Sequence, residues 1–224
     1  VALAQAGCLV ALAARRIDQL KQVKAAIEAV GGTAICVATD IVMKADFKKL
    51  IETTEVTLGP VAILVNCAGC MFYNLMENPH EEEWERQIDV NCKGVVNGFG
   101  AVLPYMLKRS SGHIINISSD AGRKPFPGLS VYTGTKYFVE GFSQAARLEL
   151  VGNGIKITCI QPGDVRTPLQ HSSTDKAAKE KYGSGDEIKM LEAEDIAKAV
   201  VYAANQPEHV AVNEILVEPR ECPT

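Results

Sequence analysis

No apolar run in the 224 residues approaches the roughly 18 that a helix needs to cross a bilayer, so the sequence offers no membrane-spanning helix. Basic residues are not in excess: 23 Lys and Arg against 27 Asp and Glu leave a net charge of −4 and a pI near 5.7, which argues against a nucleic-acid surface. Histidine is scarce. The four, at 80, 113, 171 and 209, are scattered over turns and element ends without metal-ligand spacing, so surface positions and no metal are expected. A hydrolase triad of Ser119, Asp120 and His113 would need a Gly-x-Ser-x-Gly elbow, and there is none. The start of the chain, VALAQAGCLVALAARR, has no Met and no glycine-rich turn ahead of its first apolar stretch. Linkers, low-complexity segments and internal repeats are missing too, and the length is that of one domain with a large core.

Cysteine is present but odd in number. The seven, at 8, 36, 67, 70, 92, 159 and 222, fall mostly in apolar strands or at their ends, which predicts reduced, buried thiols and a cytoplasmic protein. Cys67-Ala-Gly-Cys70 has redox-motif spacing, yet it ends a strand instead of opening a helix and is read as chance.

Strand and helix patterns alternate throughout. Val1–Ala6 reads as the tail of a helix capped by Gly7, and Cys8–Ala14 as a strand. Helix Ile17–Val30, strand Ala34–Thr39, helix Lys44–Leu58 and strand Val61–Asn66 follow, with Gly31-Gly32 and Gly59-Pro60 as stops. One long helical stretch covers Glu81–Arg109; its opening acidic run, Glu81–Glu83, is read as a solvated first turn, and the glycines at 94, 98 and 100 as close helix packing, across a subunit interface for instance. Strand His113–Ser118, helix Val131–Gly152, strand Ile155–Gln161, a mixed segment from Pro162 to Lys189, helix Glu194–Asn205 and strand Glu214–Glu218 complete the chain. Apolar strands alternating with amphipathic helices predict an α/β class, a Rossmann-like doubly wound parallel sheet with helices on both faces. In that architecture a strand, a glycine turn and a whole helix stand before the point where this chain begins, and the first strand is central in the order 3-2-1-4-5-6. The sequence therefore predicts one dinucleotide-binding and catalytic domain over 1–224, N-terminally truncated, with its first strand and glycine-rich turn absent. Without a central strand the two halves either close over a gap or leave it for other residues to fill, at a cost in stability.

The most informative segment is Gly112–Phe142, GHIINISSDAGRKPFPGLSVYTGTKYFVEGF. A strand ends in serines, and a Gly/Pro-rich loop leads to a helix carrying Tyr132 and Lys136 one turn apart on the same face. A phenol titrating near ~10 is a poor acid or base at neutral pH, and a neighbouring ammonium would lower it toward the working range. With Ser119 to hold an oxygen beside the phenol, this is equipment for interconverting an alcohol and a carbonyl, the hydride coming from a cofactor.

These residues, with several others in order, give the chain a strong resemblance to the short-chain dehydrogenase/reductases of the shorter, single-domain branch, from Val1 to about Pro219. Asn66-Cys67-Ala68-Gly69 resembles the family's Asn-Asn-Ala-Gly motif, with cysteine for the second asparagine; Asn91, Ser119, Tyr132 and Lys136 match its catalytic tetrad; Pro162-Gly163 with Thr167 matches its Pro-Gly-x-x-x-Thr motif. The resemblance implies that Tyr132 exchanges the proton, Lys136 lowers its pKa and holds the nicotinamide ribose, Ser119 orients the substrate oxygen, and Asn91 positions a water leading from Lys136 to solvent. It further implies that Asp40 and Ile41 contact adenine, that Asn66 steadies the strand ends, that Ala68 and Gly69 let the backbone approach the cofactor, and that Pro162, Gly163, Val165 and Thr167 receive the nicotinamide end.

A carboxylate at the end of the Cys8–Ala14 strand would select NAD; Ala14 stands there instead, followed by Arg15 and Arg16, which favours the 2′-phosphate of NADP, with Arg15 as the main contact. The substrate pocket is expected around Met71, Phe72, Ala121, Phe126, Tyr132, Asp164 and Val165, with Ser119, Phe126 and Tyr132 touching substrate and Gln170–Lys189 as a lid. The C-terminal pattern resembles both bacterial reductases of 3-hydroxy acids and serine and animal ketosteroid and dicarbonyl reductases. The reading is thus an NADP-dependent alcohol dehydrogenase or carbonyl reductase acting on a small molecule, forming a homodimer or homotetramer. The alternative is a truncated, catalytically silent form that acts by subunit pairing.

Overall fold

The computed structural model describes residues 1–183 and 189–222. The elements run α1 (Ala2–Gln5), β1 (Val10–Ala14), α2 (Ile17–Ala29), β2 (Ala34–Ala38), α3 (Lys44–Thr57), β3 (Ile63–Asn66), α4 (Glu81–Ile88), α5 (Gly94–Arg109), β4 (Gly112–Ile117), α6 (Ser130–Glu149), β5 (Ile155–Pro162), α7 (Lys176–Tyr182), α8 (Ala193–Ala204) and β6 (Glu214–Val217). All strand pairs are parallel. Their order is that of a Rossmann-like fold opened at its centre: among the described residues β1 pairs only with β2, and β3-β4-β5-β6 form a separate sheet.

The two sheets do not close on each other. Between the free edges of β1 and β3 lies a cavity of about 430 Å³, walled by Val10, Ala11, Ala13, Ile63 and Val65 and floored by Phe47, Leu50 and Val95. Asn66, Cys67 and Ala68 line the end nearest the C-terminal ends of the strands. The halves are joined through helices instead. Phe47, Leu50 and Ile51 of α3 pack with Val95, Phe99 and Val102 of α5 in one apolar core, and Arg109 of α5 reaches Glu55 of α3 at 3.1 Å and the Val61 carbonyl at 2.9 Å. On the opposite face, Leu3 of α1 joins Ile115, Ile160 and Val200. Alternate strand residues serve the two faces, Ile114 and Ile157 toward α5 and α6, Ile115 and Ile160 toward α8, the period of two that parallel strands buried on both sides require.

Several expectations need correction. The Glu81–Arg109 stretch is two helices joined by a π-helical turn at Asp89–Lys93, an irregularity that hydrophobic spacing does not register. Gly94 and Gly98 serve packing within the chain: a Cβ on Gly94 would meet Ile41 at 2.5 Å, and one on Gly98 would meet Asn66 Oδ1 at 2.6 Å, whereas Gly100 faces open space. Of the cysteines, all free, only Cys159 is fully buried, and Cys67 and Cys222 are exposed. Glu83 is not merely solvated; it accepts from Asn74 at 2.6 Å and from the Thr174 N–H at 2.9 Å.

His113 is not at the surface either. It lies in β4, 4 % exposed, with Nε2 2.7 Å from Thr158 Oγ1. Burial, aided by the Lys156 charge, pushes it down from 6.5 to about 4. Between those values the unfolded chain takes up a proton that the folded chain refuses, so stability falls as pH drops through this window, by about 3 kcal/mol in total. Urea unfolding of the wild type and of His113→Leu at pH 7 and pH 4.5 should show a smaller acid loss in the variant. Equal losses would show that His113 does not govern the acid limb.

Candidate active site

The C-terminal ends of the strands bring the predicted residues to one edge, where open α/β sheets bind ligands. Arg15 follows β1, Asp40 and Ile41 follow β2, Cys67–Cys70 follow β3, Ser118 and Ser119 follow β4, and Gly163–Thr167 follow β5. Arg15 acts electrostatically on Cys70, which links the end of β1 to the loop after β3.

Tyr132 and Lys136 come from the first half of α6, both nearly inaccessible, 6 % and 7 % exposed. The Lys136 ammonium lies 5.5 Å from the centre of the Tyr132 ring and donates to the Ile117 carbonyl at 2.9 Å. Burial pushes Lys136 down to about 8, while the charge of Glu140, one helical turn on, works to hold its proton. The expected lowering of the Tyr132 phenol is not found. Burial raises it, the Ser119 hydroxyl opposes that rise, and the Asp120 charge adds to it. The ammonium stands over the ring, tied to a carbonyl, so burial prevails and the phenol keeps its proton at neutral pH.

Ser119 caps a short 3₁₀ turn at Asp120–Gly122 and donates to Asp120 Oδ1 at 2.8 Å; the Ala121 N–H donates to the same oxygen at 2.8 Å. Burial raises the Asp120 carboxyl above its ordinary value. His113, at the far end of β4 from Ser119, takes no part, which removes the hydrolase arrangement.

Asn91 is held by three hydrogen bonds through its side-chain amide. Its Oδ1 accepts from Cys70 N at 2.9 Å, while Nδ2 donates to Cys70 O at 2.8 Å and to Thr135 Oγ1 at 3.0 Å. The side chain therefore pins the loop after β3 to α6. The π turn around Asn91 places the amide there. Gly69 lies against it: a Cβ would come within 3.4 Å of Asn91 Oδ1.

Asp40 Oδ1 accepts from Val42 N at 3.1 Å, so this carboxylate braces its own loop, and Asn97 fixes that loop by donating to the Ile41 carbonyl at 2.9 Å. The Ile41 side chain turns inward onto Gly94 and into the cavity between the sheets. Gly163 N donates to Val217 O at 2.8 Å, Val165 bridges to Leu191, and Thr167 caps the 3₁₀ turn at Pro168–Ser172. Arg15 and Arg16 are exposed and make no ion pair among the described residues. Two free guanidinium groups at a strand end, no carboxylate competing for them, and a glycine loop closing on Asn91 fit a phosphorylated dinucleotide.

Around Tyr132 pack Met71, Tyr73, Ala121, Phe126, Leu129 and Leu169. Phe72, expected in this wall, is buried against α4, where its N–H donates to Gln87 and the Arg86 guanidinium lies over its ring. The lid segment 170–189 lies partly outside the described residues. Its first part is latched to the loop after β3: Tyr73 N donates to Ser173 Oγ at 2.6 Å and Leu75 N to Asp175 Oδ2 at 3.1 Å. Asp175 also caps α7 through Ala178 N, and these backbone donors hold its carboxyl below the ordinary range.

Residues 1–178 match the family model described as short chain dehydrogenase. The chain belongs to the short-chain dehydrogenases. Its relatives include a glycine betaine reductase of Emericella nidulans, 48 % identical over 99 % of this chain, which spans only 18 % of that protein. An uncharacterised oxidoreductase of Staphylococcus saprophyticus is 40 % identical over 97 % of this chain and 88 % of its own length. Among solved structures, a closed serine dehydrogenase complexed with NADP+ superposes with a TM-score of 0.85 at 32 % identity, over 95 % of this chain and 86 % of the other. The oxidoreductase class and the Rossmann-like fold of this short-chain dehydrogenase follow from these matches. In no helix among its described residues is there the length and apolarity to cross a membrane.

Proposed function

We propose that this chain transfers hydride between NADP(H) and an alcohol or carbonyl substrate, with Tyr132 as general acid and base. The observation that carries the reading is the buried group of Tyr132, Lys136 and Ser119 at the C-terminal edge of the sheet. The nicotinamide supplies the hydride. Tyr132, protonated at neutral pH, stands as proton donor to a carbonyl oxygen; Ser119 orients that oxygen; Lys136 would hold the ribose of the bound cofactor, and its ammonium favours the phenolate once the proton has left. Asn91 keeps the loop after β3 in place, and Ala68, Gly69, Pro162, Gly163, Val165 and Thr167 offer backbone and side chain to the cofactor. The phosphorylated adenosine end falls to Arg15, as the NADP+ of the serine dehydrogenase structure supports. The names of the relatives, glycine betaine reductase and serine dehydrogenase, leave the substrate open. Exposed Val96, Tyr137 and Phe138 on α5 and α6 support a homo-oligomer joined through these helices.

A fluorescence titration with NADPH and NADH tests the cofactor assignment. NADPH is expected to bind about tenfold or more tightly, and Arg15→Ala to erase most of that preference. Equal affinity for the two in the wild type would overturn the choice of NADP.

A further inference from the structure

The charge around Tyr132 says what kind of carbonyl compound the cleft accepts. Asp120 stands directly beside the reacting position, bound to Ser119 through Oδ1 at 2.8 Å. That oxygen also takes the Ala121 N–H, while Oδ2 has no hydrogen-bond partner among the described residues. Asp164, at the end of β5, is half-buried and forms neither hydrogen bond nor ion pair through its side chain among the described residues. The two carboxylates are close enough to repel one another, and both add to the rise that burial gives the Tyr73 phenol.

Among the described residues one cation acts on Asp120: Lys124, whose ammonium also lies 5.0 Å from the centre of the Phe126 ring. Lys136 keeps its charge but stands over the Tyr132 ring and donates to the Ile117 carbonyl, while Arg123 is paired with Glu214 and Arg166 with Glu192. Around Asp120 and Asp164 themselves, carboxylates outnumber the cations that answer them. The wall opposite is apolar and aromatic, made of Met71, Tyr73, Phe126, Leu129 and Leu169. Carboxylates disfavour an anionic substrate. Aromatic faces and a thioether offer little to a strongly hydrated neutral one, but they suit an alkylated ammonium, whose charge is spread over methyl groups and interacts with ring faces.

We propose that the substrate carries a cationic nitrogen, an amino or quaternary-ammonium group, close to its alcohol or carbonyl carbon, with Asp120 and Asp164 as the residues that select it. Tyr73 and Phe126 supply ring faces to the same group. This rests on the oxidoreductase reading above and names the substrate class for that site.

The test is a matched pair that differs only in charge: choline and its carbon isostere 3,3-dimethylbutan-1-ol, with the corresponding aldehydes for the reductive direction. Calorimetry on the wild-type chain with and without NADP+, and kcat/KM for each compound, are the readouts. Choline and its aldehyde are expected to be favoured by about tenfold or more in Kd and in kcat/KM. Asp164→Asn and Asp120→Asn should each draw that ratio toward one, Asp164→Asn through KM more than kcat. The wild-type comparison stands even if a variant folds poorly. Equal handling of the charged and neutral compounds, with turnover of both, would overturn the cationic class and leave the oxidoreductase reading intact. Neither binding nor turnover of any of them would overturn the cationic class, and if NADPH also fails to bind, the oxidoreductase reading falls with it.

Discussion

Tyr132→Phe is expected to lower kcat on the order of 10²–10⁴-fold while leaving NADPH affinity within about twofold. The phenylalanine keeps the ring that packs against Met71, Ala121 and Leu129 and lies under the Lys136 ammonium, so the fold and the cofactor side lose only an oxygen. In the proposed reaction the lost oxygen is the proton donor. Stopped-flow single turnover with NADPH separates the cases: binding preserved and chemistry slowed supports the assignment, whereas an unchanged rate would move the acid–base role elsewhere. The raised phenol has a further consequence for direction. A group that holds its proton at neutral pH is a ready acid and a reluctant base, so carbonyl reduction should tolerate lower pH than alcohol oxidation does.

The second large effect concerns stability. Asn116 in β4 is fully buried; it accepts from Asn66 Nδ2 at 2.8 Å and donates to Ser143 Oγ at 2.8 Å, and Ser143 in turn donates to the Val139 carbonyl at 2.6 Å. This chain of polar groups ties β3 to β4 and β4 to α6, directly beneath the catalytic edge. Asn116→Ala should cost about 2–5 kcal/mol, because it opens a hole and takes away the partner of the Asn66 amide and of the Ser143 hydroxyl. Urea unfolding of Asn66→Ala, Asn116→Ala and the double variant should show coupling of about 1–3 kcal/mol. Simple additivity would mean the two amides do not act as a unit.

That network marks the limit of what the sequence could convey. Strand and helix order, the Ser119–Tyr132–Lys136 group and the split at the centre of the sheet were all legible, because each rests on local spacing or on a known strand order. Asn116 and Ser143 were not, since they are 27 residues apart and meet only through packing. Asn91 was picked out as a residue, but its partners, Cys70 and Thr135, depend on a π turn that leaves no periodic signal. Glu140 could have been read from its i+4 relation to Lys136. The pKa of Tyr132 went the other way because the direction of a shift depends on how deep the phenol lies, and burial outweighed the nearby cation.

The interval between β1 and β3 bears on more than architecture. Each of these strands has one hydrogen-bonded neighbour, so each offers the cavity a row of backbone groups that nothing in the described residues pairs. Such rows are templates: they take an extended segment according to backbone geometry, with little regard to side-chain identity. Here two rows, running parallel and walled by apolar side chains, face the same opening. The part of the molecule that gains most from one more strand is therefore also the part most open to the wrong one, and in a concentrated solution the commonest extended segment on offer is another copy of this chain.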